Sequence, residues 1–299
     1  MPTTYYLDTS AVRRFSSRLN QIETPDRVFK TSALTVSELV NGILACDKEF
    51  KSRRAALTAL LSLKSCEIEW TLPDRPLALC FSEIEKNYTF TDKRPSSLQQ
   101  LAQCITTSSD RDDFKTKESK LKLDFGRPYF EEYDTNFGDA LIQMNRQGNP
   151  QVRDAFEKAK AGQLVTQVPR EILDAGYSKF CEWFSIECRK SNESITIHGL
   201  ALRAANDVTS RPTEDFIGRI YNSYDGSIDA FISAFSKTAM SIGTMGRNEA
   251  LDLAHLLFVR KDWILVTNDK KMLNSARAVG LSTVTTSDLL LVQPQSTTI

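Results

Sequence analysis

Two apolar rhythms alternate unevenly along the chain. Residues 4–7 (Thr-Tyr-Tyr-Leu) form a short β-branched and aromatic run that stops at Asp8, the pattern of a buried strand. A helix is expected over about residues 10–19. Residues 32–46 place Val36, Leu39, Val40, Ile43 and Leu44 at helical spacing. A further helix, about 53–63, leads into residues 66–70 (Cys-Glu-Ile-Glu-Trp), the candidate second strand, before Pro73 and Pro76 break the pattern. From about 77 to 240 the pattern is helical, most clearly at 170–188 and 214–237, with Gly, Pro and Asn punctuation at 148–150, 168–169 and 210–212. Residues 108–126 are very polar and read as a mobile loop or an exposed helix. Strand signals return only at 263–266, which run into Thr267-Asn268-Asp269, and at 282–285, with a helix over about 270–278 between them.

Strand–helix units thus stand at both ends with helices between. This predicts an α/β protein: one sheet built from both termini (1–90 and 241–299) around a mostly helical insertion, 91–240. The 299 residues are ample for a buried core. With 41% hydrophobic and 25% charged residues, the chain reads as soluble and globular with no membrane span. The amino end lacks the basic-then-apolar pattern of a signal peptide. The six cysteines are scattered, without a C-x-x-C pair, so reduced thiols and a cytoplasmic location are expected. Net charge is zero, so no basic excess announces a nucleic-acid binder. Basic residues do cluster locally, as at Arg13-Arg14, 51–54, 115–122, Arg260-Lys261 and Lys270-Lys271, though solvated faces are the commoner use of such clusters.

Four acids stand out, each with a plain structural explanation. Asp8 and Asp269 follow apolar strands and precede helices, where Asp is a common N-cap. Glu38 follows Thr35 at capping-box spacing. Asp252 sits in 250–259, a helix apolar almost all round, where a carboxylate is costly without compensation. Together they are more informative. Asp8 and Asp269 occupy carboxyl ends of strands, the edge where open α/β sheets bind ligands. Four carboxylates there repel, and the usual remedy is a hard divalent cation, which can activate water and stabilise charge on a phosphodiester. Glu249 and His255 lie three residues either side of Asp252, near one helix face. Glu249 is a candidate extra acid of the site; His255 is a candidate base or ligand, or a core histidine. With two histidines and no spaced cysteines, a zinc site is not expected. Neither a phosphate-binding Gly-rich loop nor a G-x-S-x-G elbow occurs.

In family order, Tyr6-Leu7-Asp8-Thr9-Ser10-Ala11-Val12, then Ser32-Ala33-Leu34-Thr35-Val36-Ser37-Glu38-Leu39-Val40-Asn41-Gly42-Ile43, then Ala250-Leu251-Asp252-Leu253-Ala254 and Leu265-Val266-Thr267-Asn268-Asp269 resemble the motifs of PIN domains, most closely the toxin-type (VapC-like) branch. The resemblance covers about 1–90 and 245–299. It implies a Rossmann-like PIN domain with a parallel sheet flanked by helices, an acidic pocket binding Mg²⁺ or Mn²⁺, and hydrolysis of phosphodiester bonds, usually in RNA. By position, Asp8, Glu38, Asp252 and Asp269 are the implied acidic quartet, with Ser10 and Thr267 as hydroxyl neighbours. The chain departs from the family by the long span between the second and third acids. That span leaves open a role in substrate binding, in place of an antitoxin-like or accessory partner, or in homo-oligomer assembly.

An endoribonuclease is the leading reading. Alternatives are a single-strand or structure-selective DNA nuclease and a non-catalytic PIN-like scaffold binding RNA or protein; the full quartet argues against the scaffold. A receiver domain also carries acids at strand ends, but it pairs two acids after its first strand and needs a late lysine, whereas the late strand here ends in Thr-Asn-Asp. Within the polar tract, Lys115, Lys117, Lys120 and Lys122 are weak candidates for nucleic-acid contacts.

Overall fold

A computed structural model describes residues 2–73, 93–148, 247–278 and 280–291. Within them, β1 (Thr3–Leu7), β2 (Arg27–Ser32), β3 (Cys66–Glu69), β4 (Ile264–Val266) and β5 (Ser282–Val284) form one sheet in the order β3-β2-β1-β4-β5. Every neighbouring pair is parallel, with Thr3 opposite Arg27 and Tyr5 opposite Ile264. Central β1 is covered on both faces, hence its unbroken Tyr5-Tyr6-Leu7 burial. The chain steps outward from β1 to β3, then returns on the far side of β1 as β4 and β5. Strand order therefore reverses between β1 and β4, as in a Rossmann-like sheet, and the crevice at their carboxyl ends is where such sheets take ligands.

The described helices are α1 (Thr9–Phe15), α2 (Ala33–Val40), α3 (Asp47–Ser62), α4 (Arg94–Thr107), α5 (Arg111–Glu118), α6 (Arg127–Gly148), α7 (Arg247–Ala254), α8 (Lys270–Ala278) and α9 (Thr286–Leu291). One hydrophobic core joins Leu7 and Phe29 of the sheet, Val12, Val36, Leu39 and Leu57 of the helices over it, and Leu98, Leu101, Phe114 and Phe130 of α4 to α6. The described part of the expected 91–240 segment thus shares the core of the sheet. The helices expected at 170–188 and 214–237, and His198, lie outside the described residues.

Several sequence expectations need correcting. The second strand is Arg27–Ser32, and residues 66–69 form the third. Apolar pattern hid β2 because its buried positions include Arg27, Thr31 and Ser32. Their polar atoms are satisfied: Thr31 Oγ1 donates to the Leu7 carbonyl at 2.7 Å, and Arg27 to the Ile22 carbonyl at 3.4 Å. The helix expected over 32–46 stops at Val40, because Asn41 is extended and Gly42 takes φ +68°, a conformation glycine adopts without strain. The first helix gives way to a 3-10 turn at Ser16–Gln21, and α3 begins at Asp47, with Asp47 and Glu49 in its first turn where acids suit the helix dipole. Glu38 is in the second turn of a helix whose N-cap is Ser32, so the capping-box explanation of Glu38 fails. The polar run at 108–126 contains α5, capped by the Asp110 side chain and anchored by fully buried Phe114 against Phe50 of α3, ring centroids 6.2 Å apart. Among the described residues, no helix is long and apolar enough to cross a membrane.

Phe114 tests whether this polar stretch belongs to the core. Phe114→Ala should lower unfolding stability by about 3–5 kcal/mol in chemical denaturation; a loss under about 0.5 kcal/mol would detach α5 from the core.

Candidate acidic site at the carboxyl edge of the sheet

Asp8 ends β1 and N-caps α1. Its Oδ1 accepts from the Ala11 amide at 2.7 Å, and the Ser10 hydroxyl lies 2.9 and 3.1 Å from its two oxygens. Asp269 follows β4 at the start of α8, where Oδ1 accepts from the Met272 amide at 2.8 Å. The cap explanation therefore holds for both, and it is compatible with a site: a capping bond anchors one carboxylate oxygen and orients the other. Ser10 Oγ lies 3.2 Å from Thr267 Oγ1 and accepts from the Asn268 amide at 2.9 Å, while Thr267 Oγ1 accepts from the Asp269 amide at 3.0 Å. With the Asp8 amide donating to the Val266 carbonyl at 3.3 Å, these bonds lock the ends of β1 and β4 together.

Glu38 reaches the same edge from α2. Its Oε2 accepts from the Thr9 hydroxyl and lies 3.2 Å from His255 Nε2. His255 opens the 3-10 turn after α7, the helix that carries Asp252. Its Nδ1 lies 3.0 Å from the Tyr6 hydroxyl, itself 2.7 Å from Ser32 Oγ. Burial works against charge on both Glu38 and His255. For Glu38, the charge and hydrogen bond of His255, the Thr9 hydroxyl and the Arg53 charge prevail and hold its pKa below the ordinary value. For His255, Glu38's charge and hydrogen bond, with Asp8 and Asp252, prevail and raise it. The two form a buried ion pair. As an imidazolium, His255 donates to Glu38 and to the Tyr6 oxygen, and Tyr6 donates to Ser32, so both imidazolium N–H groups and the Tyr6 hydroxyl have acceptors.

Asp252 is pushed up to about 7, first by burial, then by Glu38, Asp269 and Asp8, with His255 opposing. The four acids therefore share one electrostatic environment. Asp8 is raised chiefly by burial, against the lowering effect of His255, Thr267, Ala11 and Ser10.

Sequence reasoning missed a fifth acid, Asp134 of α6. It is buried, accepts from Ser37 Oγ at 3.2 Å and from Asn41 Nδ2, and is pushed up to about 7 by burial and by Glu38. The available signal was the one that exposed Asp252: Asp134 lies on the apolar stripe of Phe130 and Phe137. Also missed were Thr9, Tyr6 and Arg53, whose guanidinium donates to the carbonyls of Glu38 and Asn41 and pins the end of α2.

Glu249 lies on α7, and its side chain falls outside the described residues. Lys115 and Lys117 pair with Asp112 and Asp113 at 3.2 and 2.9 Å, while Lys120 and Lys122 are exposed. Among the described residues, no three His, Cys, Asp or Glu side chains are grouped closely enough to hold a metal ion between them. The donor chemistry nonetheless fits a hard divalent cation: oxygen donors, several anchored through one oxygen, whose charges oppose one another.

These shifts set the pH dependence of the cation-free fold. Asp8, Asp252 and Asp134 are raised on folding, so the native state holds protons that the unfolded chain releases near 3.8. They cost stability progressively as pH climbs from about 3.8, the cost of Asp252 and Asp134 levelling off above about 7. His255, raised above 6.5, stabilises fully below that value and loses its contribution as pH rises through its native pKa. Glu38, lowered from 4.5, contributes above that value and fails only at more acid pH. In EDTA the thermal midpoint should therefore be higher at about pH 5.5 than at about pH 7.5, and Asp252→Asn should raise stability at the higher pH by on the order of 2 kcal/mol. A midpoint that climbs from acid to neutral would contradict this electrostatic picture.

Comparison with protein-family models, with curated proteins and with solved structures finds no match for this chain.

Proposed function

We propose that this chain is a divalent-cation-dependent nuclease of the PIN type that hydrolyses phosphodiester bonds, acting as an endoribonuclease. One observation carries the reading. Acids from both ends of the chain act electrostatically on Asp252 near the β1/β4 switch point, where the charges of Glu38, Asp269 and Asp8 help raise it to about 7. A structural role does not require several acids to oppose one another in a partly buried crevice; a cation site does. Among the described residues, His255 is a positive charge common to Asp8, Glu38 and Asp252, Arg53 adds one for Glu38, and these two do not offset all four acids. The choice of RNA rests on the motif resemblance, because carboxylates and a cation see only phosphate.

Asp8, Glu38, Asp252 and Asp269 would hold Mg²⁺ or Mn²⁺. Bound there, such an ion lowers the pKa of water and offsets charge on the phosphoryl oxygens. The chain's own residues shape the pocket. Ser10 and Thr267 fix Asp8 and the Asp269 backbone, Thr9 and His255 fix Glu38, and Asp252 gives up its proton before both its oxygens can serve as acceptors. A small hard cation keeps several of its own waters, through which acids that are not grouped as direct ligands act on it.

The test is cleavage of labelled single-stranded RNA and single-stranded DNA by the full chain with Mg²⁺, Mn²⁺ or EDTA. RNA should be cut internally with either metal and left intact in EDTA. Asp8→Asn should lower the rate at least about 100-fold while keeping the fold, because Asn also caps helices. Equal cleavage in EDTA, or a wild-type rate in the variant, would overturn the assignment. Cleavage of DNA alone would move the substrate, and cleavage of neither strand would support the scaffold reading.

A further inference from the structure

We propose that Tyr6 and His255 are positioning residues for Glu38: a buried hydroxyl–imidazole relay that sets which carboxylate oxygen faces the site. The inference rests on the nuclease reading above and adds two residues to it.

Tyr6 lies in central β1 and is 1% exposed. A phenol hydroxyl there is costly unless bonded, and a phenylalanine would fill the same space without that demand. The hydroxyl sits between Ser32 Oγ, 2.7 Å away, and His255 Nδ1, 3.0 Å away. Ring contacts fix the same geometry: Tyr6 stacks on Phe258 at 6.5 Å with planes 1° apart and meets the His255 ring edge-on at 6.0 Å. With Nδ1 held by Tyr6 and Nε2 held 3.2 Å from Glu38 Oε2, both ring nitrogens are engaged. That removes His255 from the roles of cation ligand and base for water.

Thr9 donates to the same oxygen, Oε2, so Oε1 is the one through which Glu38 can meet a cation. The relay also joins chain segments remote in sequence. Tyr6 precedes Asp8 by two residues, Ser32 stands at the N-cap position of the helix that carries Glu38, and His255 follows Asp252 by three. The acids of the quartet that come from helices are thereby tied to the strand end that bears Asp8. Outer partners of this kind, which orient a ligating side chain through its other contacts, typically alter metal affinity by tenfold to a hundredfold when removed.

The experiment is calorimetric titration of Mn²⁺ into the full chain, with thermal midpoints in EDTA as a fold control. Tyr6→Phe, which deletes one oxygen, should weaken Mn²⁺ binding by roughly tenfold and still unfold cooperatively. His255→Leu should weaken it by roughly ten- to a hundredfold. His255→Gln, whose amide can still donate to Oε2, should recover most of that loss. A relay that only stabilised the core would lower midpoints and leave the dissociation constant of the folded protein alone. Wild-type Mn²⁺ affinity in Tyr6→Phe and His255→Leu, with binding abolished in Asp8→Asn, would overturn the relay and leave the nuclease reading standing. Absence of Mn²⁺ binding by the wild-type chain would overturn both.

Discussion

Glu38, Asp269 and Asp8 oppose charge on Asp252 at the carboxyl end of a parallel sheet, and the polar structure around them limits that repulsion. Like charges in a partly buried crevice are shielded poorly by solvent. The fold responds in three ways. Capping bonds to Ala11 and Met272 hold Asp8 and Asp269 by one oxygen each. Hydroxyls of Ser10 and Thr9 donate to Asp8 and Glu38. One buried histidine supplies positive charge, paired with the acid nearest to it. Among the described residues, negative charge outweighs positive at this edge, and that excess is what a divalent cation would bind.

Bringing acids from opposite ends of a 299-residue chain to one crevice is the work of the sheet. The reversal of strand order between β1 and β4 places the ends of the amino-terminal and carboxy-terminal units side by side. Helix α6, which follows β3, then braces the Glu38 helix. Asp134 of α6 accepts from Ser37 and Asn41 of the Glu38 helix, and Asn41 also donates to the Phe130 carbonyl at 3.2 Å. Arg53 closes the same helix end while pairing with Glu49 at 2.8 Å. Glu38 is thus carried on a short helix fixed at both ends: Thr31 and Thr35 near its start, hydrogen-bonded to each other at 2.9 Å, and Arg53 at its finish.

How much was legible beforehand follows from which forces leave a mark in local sequence. The strand ends before Asp8 and Asp269 were readable because apolar runs stop abruptly at Leu7 and Val266. Asp252 was singled out because a carboxylate interrupts the apolar run at 250–259, although the α-helix there ends at Ala254 and His255–Phe258 turn as a 3-10 segment. Strand β2 was not, since its inward positions are polar residues satisfied by distant backbone, and no local pattern records a bond from Thr31 to Leu7. Thr35 and Glu38 imitated a capping box, but the helix had already begun at Ala33. Tyr6 looked like ordinary core, and its partner His255 is far away in sequence; only the sheet topology brings the two together. Asp134 carried a usable mark, an acid on an apolar helical stripe, and the same reasoning that singled out Asp252 applies to it.

The central claim is that these acids form one cation site at the β1/β4 switch point. The most direct measurement is anomalous X-ray scattering from crystals of the full chain grown with Mn²⁺. The account predicts a manganese peak bounded by the carboxylates of Asp8, Glu38, Asp252 and Asp269. A map at saturating Mn²⁺ with no peak in that crevice, or with manganese bound only elsewhere, would contradict it.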